Sequence, residues 1–297
     1  MMQHRHLLRG RLQKEVIDFN TSVAAIRRES DKLTNSRLFK MPAGVEVSPV
    51  SLDGLAGAWI LPAQAAKDKA ILYFHGGGYV LGSIKMHQSI VAKFVLGSGI
   101  PALLFDYRLA PEHPFPAALE DALRAYRWLL AQGVSPARIV FAGDSAGGGL
   151  VLATFLAARD QGLPLPAGAV ALSPWTDLKC TGESYQTKTD VCVSPKGMCT
   201  VFSQYYVGDH DPGLPEISPL YGDLHGLPPL FITVGEYEVL LDDSTRFAAK
   251  AKEAGVDVTL KVEPGMFHCY PLCAPFFPEA KQAMAEICEF IKRHIGK

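Results

Sequence analysis

The chain has 297 residues, enough for two ordinary domains or one large α/β domain. Hydrophobic residues make up 48% and charged residues 20%, which supplies a sizeable core and excludes a disordered polypeptide. Against 29 Lys and Arg stand 30 Asp and Glu, a net charge of −1, so the basic surplus of a nucleic-acid binder is missing. No run reaches the ~18 consecutive apolar residues of a membrane span, so stable membrane insertion is not expected.

The opening MMQHRHLLRGRLQKEV is basic but has no apolar stretch followed by a small-residue cleavage site. A secretory signal is therefore not expected, and the cytoplasm is the expected compartment. Leu8, Leu12, Val16, Phe19, Val23 and Ile26 recur at steps of three and four, one face of a helix. Such a helix either packs on the main body, the favoured reading, or acts as a lid over a site. Residues 1–40 are set apart from residues 41–297 by the change of pattern that follows them.

After Met41-Pro42 the pattern changes. Residues 45–51 and 55–61 read as two strands joined around Asp53-Gly54, a strong turn dipeptide. Apolar runs follow at 70–74, 102–106, 138–142, 168–172, 230–234 and 256–262. Helical patterns fill most of the gaps, at about 84–97, 116–132, 146–160, 243–254 and 278–294. This alternation predicts βαβ units and a mainly parallel sheet with helices on both faces. Almost sixty residues separate Leu172 from Leu230, too many for a bare loop in a compact domain. They are read as an insertion with its own helices, one at about 195–206. The stripe Ala280, Met284, Ile287 and Ile291 could serve the core or a second copy of the chain.

The six cysteines, at 180, 192, 199, 269, 273 and 288, form no C-x-x-C pair. They read as reduced thiols used mainly for packing. Cys269 and Cys273 beside His268 lack the paired spacing of a zinc site, so no metal is expected.

Gly143-Asp144-Ser145-Ala146-Gly147 fits G-x-S-x-G and sits between a predicted strand and an apolar helix, the context that motif requires. Ser145 would be the nucleophile at a tight strand-to-helix turn, with the helix N-terminus favouring developing negative charge. His75-Gly76-Gly77-Gly78-Tyr79 ends the strand at 70–74, and its glycines let backbone N–H groups converge on an oxyanion. A phosphate cradle is the rival reading. It lacks the Lys-Ser/Thr of a P-loop and the spacing of a dinucleotide fingerprint.

A serine nucleophile needs a base and a carboxylate to orient it. Of nine histidines, His268 lies in the loop after the last predicted strand, where it would overhang the strand ends. The acid should follow the strand at 230–234, which offers Glu236, Glu238, Asp242 and Asp243. Glu238 is favoured and Asp242 second; helix capping explains one or both of the aspartates. The order serine, acid, histidine is that of α/β-hydrolases.

HGGGYVLGS, YRLAPEHPFPAALED, GDSAGGGL, SPWTDL and PGMFHCY, in that order, resemble the hormone-sensitive-lipase-like family of α/β-hydrolases, its bacterial GDSAG esterases above all. The resemblance runs from about residue 45 to the C-terminus. It implies the α/β-hydrolase fold: an eight-stranded, mostly parallel sheet with one antiparallel strand, helices on both faces and a helical cap. The cap would be residues 1–40 together with an insertion at about 178–216. It implies a serine carboxylesterase acting on short- to medium-chain esters with no cofactor, the small-molecule ester being its partner. Ser145, His268 and Glu238 would form the triad, and Gly76, Gly77, Gly78 and the Ala146 N–H the oxyanion hole. Most relatives carry Asp in a D-P-L motif where this chain has Glu238-Val239-Leu240. Tyr79 and Trp175 would line the substrate pocket or pack in the core. Asp106, Tyr107, Arg108 and Glu112 would be structural partners. An amidase or deacetylase with the same triad, and a non-catalytic receptor, are the alternatives. Relatives often pair through the edge strand or last helix, which allows a homodimer.

Overall fold

A computed structural model of the chain describes residues 18, 20–33, 40–66, 68–195 and 197–295. The elements run α1 (Val23–Leu33), β1 (Val45–Leu52), β2 (Leu55–Pro62), β3 (Ala70–Phe74), α2 (Ile84–Ser98), β4 (Ala102–Phe105), α3 (Ala117–Ala131) and β5 (Ile139–Asp144). They continue with α4 (Ala146–Asp160), β6 (Gly168–Leu172), α5 (Ser184–Thr187), α6 (Met198–Val207), β7 (Leu230–Tyr237), α7 (Leu241–Glu253), β8 (Val258–Phe267) and α8 (Pro278–Ile295).

The strands form one eight-stranded sheet in the order β1-β2-β4-β3-β5-β6-β7-β8. β2 runs antiparallel to both β1 and β4, and every other pairing is parallel. Pro49 lies in β1, at an edge, where a missing N–H breaks no ladder. The central strands β3, β4, β5 and β6 are buried throughout, as strands covered on both faces must be. Leu72, Phe74, Phe105 and Phe141 enter one core with α3, α4 and α7; Ile71, Tyr73, Leu104 and Val140 enter the other with α2 and α8. The alternation of side chains along a strand divides them this way.

Two expectations resolve here. Ala280, Met284, Ile287 and Ile291 are all buried in the chain's own core, which leaves none of that stripe for a second copy. β8 extends to Phe267, beyond the expected end at 262. Pro264-Gly265 lies inside it, because β8 is an edge strand and tolerates proline there. Gly265 takes φ +69, and its N–H donates to Glu236 Oε2 at 2.8 Å.

Of the amino-terminal stripe, Leu8, Leu12, Val16 and Phe19 lie outside the described residues. Val23 and Ile26 lie on α1 and pack against the core. Arg27 ties α1 to the body. It makes two bonds to the Glu112 carboxylate, at 2.7 and 2.8 Å, and one each to the Val80 and Ala110 carbonyls at 2.9 Å. In the long segment between β6 and β7, α6 packs over the glycine loop: Tyr206 stacks on Tyr79 at 3.7 Å, and the Phe115 N–H donates to the Tyr206 carbonyl.

Candidate active site

Ser145 stands between β5 and α4 with φ 55 and ψ −122, a backbone conformation that L side chains rarely adopt. Such strain is held only where surroundings over-determine it. Here the Ser145 N–H donates to Leu172 O at 2.8 Å, and its carbonyl accepts from Gly149 and Trp175 N–H at 3.0 Å. The turn also needs Gly147, where a Cβ would come within 2.1 Å of Phe74 O. Ser145 remains half-buried while its neighbours are fully buried, and it caps the positive end of α4.

Glu238 follows β7 directly, after a register irregularity between Gly235 and Tyr237. Its carboxylate is fully buried. Oε1 accepts from Gly235 N–H at 2.6 Å and from Ser173 Oγ at 2.8 Å, while Oε2 lies 2.6 Å from His268 Nδ1. The other acids look elsewhere. Asp242 Oδ2 accepts from Ser184 N–H at 2.8 Å, and Asp243 Oδ1 accepts from Thr176 and Asp177 N–H at 2.9 Å. Burial pushes the Asp243 carboxyl up to about 8.

His268 sits just past β8. Burial works against its charged form, but the Cys269 side chain and the Glu238 carboxylate outweigh that and hold its pKa well above the ordinary value. On its other side, Nε2 lies 3.5 Å from Cys269 Sγ. Burial raises the Cys269 thiol in turn, while the neighbouring His268 works the other way. Cys269 takes φ 54, and its N–H donates to Ser173 Oγ at 3.0 Å.

The glycine loop rests on a buried polar floor, in which Tyr73, His87 and Asp144 have no role predictable from the motifs. Asp144, the variable residue of the G-x-S-x-G motif, accepts from Tyr73 O–H at 2.9 Å and from Gly76 N–H at 3.1 Å. Its Oδ2 lies 3.8 Å from His87 Nε2. Burial opposes the carboxylate, but His87 and Tyr73 keep its pKa below the ordinary value. His75 stacks on Tyr107 at 4.1 Å, and the Tyr107 hydroxyl donates to the His75 carbonyl at 2.8 Å. Burial, with His87 nearby, pushes the His75 imidazole down to about 3, so it is neutral.

This floor changes the oxyanion expectation. Gly76 N–H is already donated to Asp144, which takes Gly76 out of the donor set. No acceptor for the backbone N–H of Gly77, Gly78 or Ala146 is found among the described residues. Gly77 takes φ +120, and a Cβ there would lie 2.3 Å from Leu81 O. Tyr79 and Trp175 are 1% and 2% exposed, so both are packed in the core beneath the loop. Asp106 caps α2 through Ile84 N–H, and Arg108 pairs with Asp121 and Glu120. Among the described residues no group of three or more His, Cys, Asp or Glu could hold a metal. All six cysteines are free.

A family model described as alpha/beta hydrolase fold matches residues 71–272. The chain is 39% identical to an esterase of Acinetobacter venetianus over 91% of this chain and 89% of that one. It is 38% identical to an acetyl-hydrolase of Streptomyces hygroscopicus over 96% and 97%. The crystal structure of an esterase from the bacterial hormone-sensitive lipase family superposes with a TM-score of 0.93 at 41% identity, covering 99% of this chain and 98% of that one. The eight-stranded sheet with its single antiparallel strand, the serine turn after β5 and the matched residues agree, and the chain belongs to the hormone-sensitive-lipase-like family of α/β-hydrolases.

Proposed function

We propose that this carboxylic-ester hydrolase works through an acyl-enzyme on Ser145. The observation that carries the reading is the buried Glu238–His268 pair at 2.6 Å, joined through the end of β6 to the strained turn that presents Ser145. Ser145 Oγ attacks the ester carbonyl as its proton passes to His268 Nε2. The imidazolium so formed is balanced by Glu238 across Nδ1. The tetrahedral oxyanion takes hydrogen bonds from the N–H groups of Gly77, Gly78 and Ala146, assisted by the N-terminus of α4. The C–O bond to the alcohol then breaks, and the departing oxygen takes the proton from His268. Water attacks the acyl-enzyme by the same route, giving up its proton to His268, and returns Ser145 with release of the acid. Protein groups and water complete the cycle.

Residues 1–40 and the insertion at about 178–216, which contains α5 and α6, are the cap in this reading. The tie of Arg27 to the body and the stacking of Tyr206 on Tyr79 support it. The cap restricts the site to small esters with short to medium acyl chains, in keeping with the acetyl-hydrolase among the relatives. The six free thiols favour the cytoplasm. For a homodimer, β8 is one of the two sheet edges, and Val262 on it is 40% exposed. Ser145→Ala assayed on p-nitrophenyl butyrate tests the nucleophile, and undiminished turnover sinks it. A series of p-nitrophenyl esters from acetate to palmitate, with matched aryl amides, tests the substrate class.

A further inference from the structure

The chain segment just past β6 touches every part of the triad. Leu172 O accepts the Ser145 N–H at 2.8 Å, and Trp175 N–H donates to the Ser145 carbonyl at 3.0 Å. Between them, Ser173 reaches the other two members. Its Oγ donates to Glu238 Oε1 at 2.8 Å and accepts the Cys269 N–H, next to His268, at 3.0 Å. A hydroxyl has one proton, and the carboxylate can only accept, so the direction of both bonds is fixed. Ser173 is fully buried and takes φ 46. Glycine is the residue that suits such a backbone, and a side chain there persists only when something holds it. Here the hydroxyl is held at both ends.

From this geometry we infer that Ser173 is a positioning residue for ester hydrolysis. It clamps the Glu238 carboxylate and the His268 loop to one point on β6, so that Oε2 stays aimed at Nδ1. With Gly235 N–H and Ser173 O–H both on Oε1, the carboxylate is restrained from turning about its terminal torsion. The hydroxyl also bonds the histidine's neighbour, so acid and base shift together or not at all. The inference rests on the triad reading given above.

Two variants remove the hydroxyl in different ways. Ser173→Gly also relieves the left-handed backbone, and Ser173→Ala leaves it unchanged. With p-nitrophenyl butyrate, kcat is expected to fall about tenfold or more in both, the scale of losing a hydrogen bond to a charged group. KM should change by less than about twofold, because the contact matters to the imidazolium and not to bound ester. The downfield proton resonance of the Glu238–His268 bond should shift or broaden. In Ser173→Gly the relief of the left-handed backbone offsets part of the lost bonding, so its thermal melting should fall less than that of Ser173→Ala while kcat falls alike, which separates positioning from folding. Parental kcat in Ser173→Gly overturns the inference. So does a fall in kcat with the downfield resonance unmoved, since that is a structural effect alone. Ser145→Ala, run alongside, separates the two readings. If it is inactive while Ser173→Gly is fully active, only the positioning role fails; if it retains full turnover, the triad fails and takes this role with it.

Discussion

Glu238 Oε2 and His268 Nδ1 lie 2.6 Å apart with the carboxylate wholly buried, so the pair is shielded from water on the acid's side. A charge removed from solvent in this way acts strongly on the imidazole beside it. Glu238, the acid of the proposed triad, is one methylene longer than an aspartate. The irregular end of β7 brings Glu238 round to the histidine, with Oε1 held by Gly235 and Ser173.

In the proposed mechanism His268 must be neutral to accept a proton, and its pKa is held well above the ordinary value. The acid limb of kcat/KM therefore lies above the ~6.5 of an unperturbed histidine. Because the folded value is raised, the pair's contribution to stability is full below the unfolded pKa and is lost as pH rises through the folded one. The enzyme is thus most active where this pair stabilises it least. Glu238→Gln should move the limb to lower pH and reduce kcat by roughly 10³–10⁴. A pH–rate profile of both forms is the check, and an unmoved limb contradicts the assignment.

Gly77→Ala should reduce kcat by about 10²–10³, the scale of losing one oxyanion donor. Its φ of +120 and the 2.3 Å approach of Leu81 O leave no room for a Cβ without moving the loop. Gly54→Ala is the control. It also has positive φ but nothing within 4 Å, so it should reduce stability and leave kcat alone.

Asp243 gives a stability prediction of opposite sign from a normal carboxylate. Burial holds its pKa at about 8 in the folded chain. The folded state therefore binds this proton more tightly than the unfolded one, and stability falls as pH rises toward 8. Asp243→Asn keeps an oxygen for the Thr176 and Asp177 N–H groups without the buried charge. Melting above neutral pH should rise by at least about 2 °C, with the gain shrinking in acid.

Arg27→Ala removes the bonds of α1 to Glu112 and to the Val80 and Ala110 carbonyls. Its partner Glu112 is more than half exposed, so the ion pair itself adds little. The carbonyl bonds matter more, and a loss of about 1 kcal/mol is expected. In the cap reading, KM should rise more than kcat falls, and limited proteolysis should cut earlier in the amino-terminal segment.

Much of this was legible in the sequence for physical reasons. Apolar runs of five to seven residues separated by 3.6-periodic stretches can bury themselves only as a covered parallel sheet. A glycine-flanked serine between such a strand and an apolar helix fits one kind of turn. Ser145 and His268 can therefore be proposed, and Glu238 favoured, from residue types and their order alone. The choice among Glu236, Glu238, Asp242 and Asp243 was not closed by spacing, because all four follow one strand closely. The register irregularity at the end of β7, invisible in residue types, separates them: Glu238 turns to His268, Asp242 to Ser184 and Asp243 to the segment after β6.

Local patterning, then, determined the strands, the helices and the order of the chemical groups, since periodicity and turn chemistry act over a few neighbouring residues. Only the tertiary structure decided which N–H groups of the glycine loop are spoken for, because Asp144 claims Gly76 from 68 residues away. It also decided that α8 spends its apolar stripe inside its own chain. And it brought Ser173 between an acid 65 residues onward and a histidine loop 96 residues onward. Hydrogen bonds over such separations depend on where whole strands come to lie, and residue spacing carries no record of that.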